Sequence, residues 1–232
     1  KFYTESNNHA VLDNTSTFIE ALAIGDGDDI NYAAEIMSGT LKNLEPAFDN
    51  MYPDSAWYEG VSYWSFVGPF VARMFSAMNS ALGTWYGYEK IKSIVNLSDF
   101  QIYGQSTIGY FMYDDCSTGK GADIEKYYFG IMKNDAALQK LVLSLDKPTC
   151  SPFLCIWYDT KADYDNTEIS VSKDRLFRNT DMAVMRNTWE GSQELYTGMV
   201  VQRASVTHGH INSGTIALDA LGERWITNMG ND

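Results

Sequence analysis

The sequence predicts an α+β protein in which helices come first and an antiparallel sheet follows. Apolar residues recur at three- and four-residue spacing from Asn14 to Leu145. After Asp146-Lys147-Pro148 the pattern changes to short β-branched and aromatic runs separated by turn residues. Hydrophobic residues make up 45% and aromatics 14% of 232 residues, enough for a sizeable core. The boundary is expected near 146–152, with a helical portion over 1–148 and a sheet portion over 149–232.

Asn14 to Ile24 carries an apolar stripe at Phe18, Ile19, Leu22 and Ala23, and Gly25-Asp26-Gly27-Asp28 stops it. Ile30 to Leu44 repeats the pattern, with Pro46 near its end. From Tyr63 to Leu82 the chain is almost wholly apolar, which predicts a buried helix broken in its first turns by Gly68-Pro69. Further helices are expected at Tyr88–Val95, Ser98–Tyr113, Asp123–Met132 and Asn134–Leu145, which suggests stacked helical hairpins. Leu154-Cys155-Ile156-Trp157-Tyr158 reads as a short strand. Strands are also expected at Arg175–Phe177, Met182–Arg186, Leu195–Gln202, Thr215–Asp219 and Arg224–Ile226. The sheet is unfinished at Asp232, so the second portion reads as truncated. Lys1 is not an initiator residue, which points to a segment removed upstream.

The formal net charge of -13 argues against nucleic acid or an anionic membrane as general partners. No apolar run approaches the length of a membrane span. Cys116, Cys150 and Cys155 form neither a disulfide framework nor a zinc knuckle, and a Cys150–Cys155 bridge stays open. Asn14-Thr15-Ser16 and Asn96-Leu97-Ser98 match the glycosylation triplet, a pattern that arises often by chance.

Three stretches carry candidate chemistry. His208-Gly209-His210 places two of the chain's three histidines two residues apart. On a strand both imidazoles would share one face, ready for proton transfer or metal ligation. Tyr63 follows Trp57-Tyr58-Glu59-Gly60, where a tyrosine at a helix start can face a cleft. It would act as a base only with its pKa lowered by neighbouring positive charge. Asn7-Asn8-His9 opens a helix, a natural capping segment. Its amide and imidazole can also donate hydrogen bonds to a carboxylate.

Taken together and in this order, these segments resemble the heparinase II/III-like polysaccharide lyases. The resemblance rests on Asn7-Asn8-His9, on Pro53-Asp54 followed by Glu59-Gly60-Val61-Ser62-Tyr63, on His208-Gly209-His210-Ile211-Asn212-Ser213-Gly214, and on the run Leu218 to Trp225. Phe111-Met112-Tyr113-Asp114-Asp115 and Val184 to Trp189 fit as well. It covers nearly the whole chain and matches the middle of a full-length member. It implies the second half of an (α/α) toroid, then the first strands of a β-sandwich.

The resemblance also implies β-elimination across a uronic acid linkage. Asn8 and His9 would neutralise the C5 carboxylate. Tyr63 would take the proton, give one to the leaving oxygen, or do both. His208 would be the other acid/base or the group that lowers the Tyr63 pKa. Glu59, Arg186 and Arg203 would hold substrate, although structural ion pairs explain the arginines equally well. No cofactor is required. Relatives carry a structural zinc for which His210 would be a ligand, but Asn228 stands where the next ligand, an Asp, is expected, and Asn212 replaces another Asp. The expected partner is an acidic polysaccharide, without dense sulfation since basic residues near the motifs are few. The remainder of the polypeptide, or another chain, would complete the fold, and the location would be periplasmic or secreted. A uronate C5-epimerase and a non-catalytic glycan-binding relative are the alternatives.

Overall fold

A computed structural model describes residues 5–25, 30–121, 123–146, 151–201 and 208–229. Its described residues form eight α-helices followed by a five-stranded antiparallel sheet. The helices are α1 (Asn8–Ile24), α2 (Ile30–Asn50), α3 (Gly68–Leu82), α4 (Lys92–Val95), α5 (Leu97–Tyr103), α6 (Lys126–Lys133), α7 (Ala136–Asp146) and α8 (Pro152–Trp157). The strands are β1 (Arg175–Phe177), β2 (Met182–Arg186), β3 (Leu195–Val200), β4 (Thr215–Ala220) and β5 (Glu223–Ile226), hydrogen-bonded in sequence order. None of the described helices is long and apolar enough to cross a membrane.

The starts of α1 and α3 have local causes. Asn7 caps α1 by accepting the Ala10 N–H at 2.9 Å. Pro69 stands in the first turn of α3, where its missing N–H costs nothing. The predicted break is thus a short 3₁₀ turn, Tyr63–Phe66, ahead of the helix. Helix α2 runs through Pro46 to Asn50, beyond the expected Leu44. Phe48, packed against the rings of Phe75 and Tyr88, holds that last stretch in place.

Two expected elements take another form. The predicted helix over Ser98–Tyr113 ends at Tyr103. From Gly104 the chain turns back through a bridge between Gln105 and Tyr110 and runs irregularly between helices and sheet. The stretch Leu154–Tyr158, expected as a strand, lies mostly within α8. Pro152 opens that helix, and Trp157 donates from Nε1 to Ser76 Oγ at 2.7 Å and packs on Tyr128. A six-residue aromatic run has no period of its own, and tertiary packing decides its state.

The sheet alternates as a half-buried sheet should. Phe177, Met182, Val184, Tyr196, Val200 and Ala217 face the core. Gly198 on β3 lets the Phe111 ring lie where a Cβ would approach it to 2.7 Å. That close approach seats the 104–115 segment against the sheet. The opposite face exposes cross-strand neighbours Met199 and Ile216, together with Leu176, Met185 and Trp225.

Polar ties join helices to sheet. Arg186 is almost completely buried. It pairs with Glu194 at 3.1 Å and donates from Nη2 to the carbonyls of Tyr103 at 3.1 Å and Gln105 at 2.8 Å. Its guanidinium lies 4.2 Å from the Trp189 ring centroid and 4.9 Å from that of Tyr196. Arg224 grips Asp219 with two hydrogen bonds of 2.8 Å and reaches Gly109 O at 3.1 Å.

Candidate functional site

A cleft of about 580 Å³ opens where α1, the Tyr63 turn, the 104–117 segment and the His208 turn meet. Asn8, His9, Tyr63, Asp115 and His208 line it, together with Ser65, Phe66, Tyr110 and Ser117. Residues from the beginning, middle and end of the chain converge here.

The loop before Tyr63 sets the first wall. Glu59 is fully buried and accepts the Asn8 N–H at 2.9 Å and the Trp57 Nε1–H at 3.0 Å on one oxygen. Tyr58 adds a hydrogen bond from its hydroxyl to Ser6 O at 2.9 Å. Gly60, at φ 95°, adopts the left-handed turn that carries the chain from Glu59 into the Tyr63 turn. The first turn of α1 is thereby tied beside Tyr63. Asn8 is buried, with its Oδ1 unpartnered, and His9 is exposed.

His208 and His210 belong to a turn and an irregular stretch, so no strand face aligns them; His208 sits at φ 62°. Their rings nevertheless converge, because Asp115 lies between them. Asp115 Oδ2 is 2.6 Å from His208 Nδ1, and its Oδ1 is 2.8 Å from His210 Nε2. The Asp115 N–H also donates to His208 O at 3.2 Å. Burial pushes the Asp115 carboxyl up, but the two imidazole bonds outweigh it and hold the pKa below 3.8. An ionised carboxylate only accepts, so a neutral His208 carries its hydrogen on Nδ1 and leaves Nε2 with a lone pair.

The Tyr63 and His208 rings stack, with centroids 4.2 Å apart and planes 21° from parallel. Burial, followed by the charges of Asp115 and Glu59, raises the Tyr63 pKa above 10.0. This corrects the expectation of a lowered tyrosine pKa: the nearest fixed charges are carboxylates. Tyr63 is therefore a proton donor at rest.

Asp114 supports the same turn from below. It accepts the His210 N–H at 2.8 Å and a bond from Asn212 Nδ2 on one oxygen, while the other is buried without a partner. Burial raises its pKa to about 6 against those bonds. Asn228 Nδ2 donates to Asn212 Oδ1 at 3.0 Å and completes the chain of amides.

These residues do not fit the zinc that the resemblance implies. The Nε2 of His210 is engaged by Asp115, and Asn228 faces Asn212. Among the described residues no three His, Cys, Asp or Glu side chains are grouped to hold a metal.

Glu59 and Arg186 correct two more expectations. Glu59 is sealed under the cleft and positions Asn8. Arg186 is sealed between helices and sheet, with no face toward the cleft. Arg203 and Cys150 lie outside the described residues. Cys116 is buried and unpaired, and Cys155 is exposed. Asn14 of the first glycosylation triplet is buried, bonded to Ala10 O at 2.8 Å. Asp115, Ser65 and Tyr110 were not singled out by sequence reasoning. Asp115 did stand in the segment Phe111-Met112-Tyr113-Asp114-Asp115 that fits the resemblance, but without an assigned role. The chain matches no protein-family model and no curated protein.

Proposed function

We propose that the cleft cleaves uronic-acid-containing polysaccharides by β-elimination. The observation that carries this reading is the stack of Tyr63, a held proton donor, on His208, whose Nε2 lone pair is set by Asp115. His208 Nε2 takes the C5 proton, the C4–O bond breaks, and a C4–C5 double bond forms. The Tyr63 hydroxyl gives its proton to the departing glycosidic oxygen. Proton return from His208 to Tyr63 restores the pair. Asn8 and His9 face the carboxylate and disperse the charge that builds up on it. Each proton transfer contributes roughly 10²–10⁴-fold.

The stack also bears on stereochemistry. A pyranose between two groups needs about 3.5–4.0 Å of contact on each side, and 4.2 Å in total leaves no room. Acid and base therefore work from one face of the sugar. That suits a syn elimination, in which C5–H and C4–O share a face, as in D-mannuronate and D-glucuronate. It favours a lyase over an epimerase, which must reprotonate C5 from the opposite face.

The folding frame is read the same way. The helix pairs are proposed as part of an (α/α) toroid. The exposed row of Leu176, Met185, Met199, Ile216 and Trp225 is proposed as the inner face of a sandwich awaiting a second layer. A periplasmic or secreted location accords with such a substrate. The test is incubation of the full-length chain with a panel of polyuronates, following the ultraviolet absorbance of the unsaturated product. Folded protein that yields no product from any polymer sinks the reading, and solvent deuterium at C5 without cleavage would replace it with epimerisation.

A further inference from the structure

A second cavity, of about 580 Å³, lies between the C-terminal half of α2 and the stretch from Tyr86 to Ile94. It shares no lining residue with the Tyr63 cleft. Leu41, Glu45, Phe48 and Asp49 line it at three- and four-residue spacing, on one face of α2, and Tyr52 follows just past the helix end. Phe48 and Tyr88 meet edge to face at 5.8 Å, and both pack on the buried Phe75, which fixes these two rings. Tyr52 and Tyr86, also lining residues, are 72% and 65% exposed, so each side chain is left mostly uncovered. Tyr86 sits at φ 51°, a backbone conformation that a bulky side chain rarely adopts. Its N–H donates to Thr84 Oγ1 at 3.0 Å, and the Tyr88 N–H closes the turn on Trp85 O at 3.0 Å. The charge of the cavity has one sign. Among the described residues no Lys, Arg or His lines it, and no ion pair engages Glu45 or Asp49. Burial, then the Glu45 charge, raises the Tyr88 pKa above 10.0, so that carboxylate is felt at the ring hydroxyl.

We infer that this cavity is a second ligand site and that it takes a small organic cation of the quaternary ammonium class. Four aromatic rings offer the negative faces that attract such a cation, and two carboxylates without counter-ions add charge of the same sign. Leu41, Ile91 and Ile94 supply apolar surface that suits alkyl groups on the nitrogen. The volume lies within the range of small-molecule sites. A uronate is excluded by the same charges, so this site is not an extension of the Tyr63 cleft and does not rest on the uronate reading.

The test is an NMR titration of the full-length chain with choline, following its methyl resonance, beside the neutral alcohol in which carbon replaces the choline nitrogen. Choline is expected to bind, and the alcohol, equal in shape but uncharged, to bind roughly three- to thirtyfold more weakly. Tyr86→Ala is expected to weaken choline by a similar factor, and Glu45→Gln to weaken choline while leaving the alcohol unchanged. Both side chains are exposed, and Tyr52→Ala is the further variant should Tyr86→Ala alter the melting curve. No binding of choline, equal binding of the alcohol, or choline affinity untouched by Glu45→Gln and by the tyrosine variants overturns the site. Cleavage of a polyuronate reads the Tyr63 cleft alone, so the two readings stand or fall separately.

Discussion

Tyr63 and His208 lie ring on ring, 4.2 Å between centroids, although they are far apart in the sequence. The contact joins a group that keeps its proton to a group oriented to receive one. Tyr63→Phe keeps the stack and removes the proton donor, so kcat is expected to fall by roughly 10²–10⁴-fold with KM little changed. Because the Tyr63 pKa is raised above 10.0, the limb of the pH–rate profile that belongs to it is expected above pH 10.0. A Tyr63-dependent limb below that value would show a tyrosine acting as base.

Asp115 serves two imidazoles with two oxygens. Asp115→Asn keeps one oxygen and offers an N–H in place of the other, so one ring loses its acceptor. The expected outcome is a fall in kcat of roughly 10²–10⁴-fold with the fold retained. Steady-state kinetics beside a thermal melt separates this from general destabilisation.

Arg186 is a tie between helices and sheet, and its loss is expected to show as instability. Arg186→Ala leaves Glu194 buried and uncompensated, at about 3–5 kcal/mol. Denaturant titration is expected to show that loss. Unchanged stability with a raised KM would restore Arg186 as a substrate contact.

Asp114 gives stability a pH dependence of defined sign. Its pKa is about 6 in the folded chain against an ordinary 3.8, so the folded state holds a proton that the unfolded state releases. Its contribution is fully present below pH 3.8 and is lost as pH rises to about 6, a change of up to about 3 kcal/mol. Glu59 is also raised and shares that sign. Asp115 is lowered, so its contribution is lost only as pH falls below 3.8. Asp114→Asn is expected to flatten the slope of unfolding free energy between pH 4 and 6, measured by denaturant titration across that range.

The strands of the sheet were legible because alternation and turn residues act locally, and all five formed close to their expected bounds. The start of α1 was legible for the same reason, since Asn7 carries its own cap. The convergence of Asn8, His9, Tyr63 and His208 was legible only through a family resemblance, because no local signal brings distant residues together. What stayed hidden depended on tertiary contact. Arg186 looks like a substrate anchor until Trp189, Tyr196 and three backbone carbonyls are seen around it. The fate of Tyr63 turned on which charge stood beside it. One histidine in sequence suggested a lowered pKa, whereas the fold brought Asp115 and Glu59 as well.

The most direct measurement of the central claim is the appearance of C4–C5 unsaturated product from polymannuronate and from polyguluronate, with the full-length chain and its Tyr63→Phe variant side by side. The account predicts product from polymannuronate, little from polyguluronate, and loss of both signals in the variant. Undiminished product in Tyr63→Phe, or cleavage confined to polyguluronate, would contradict it.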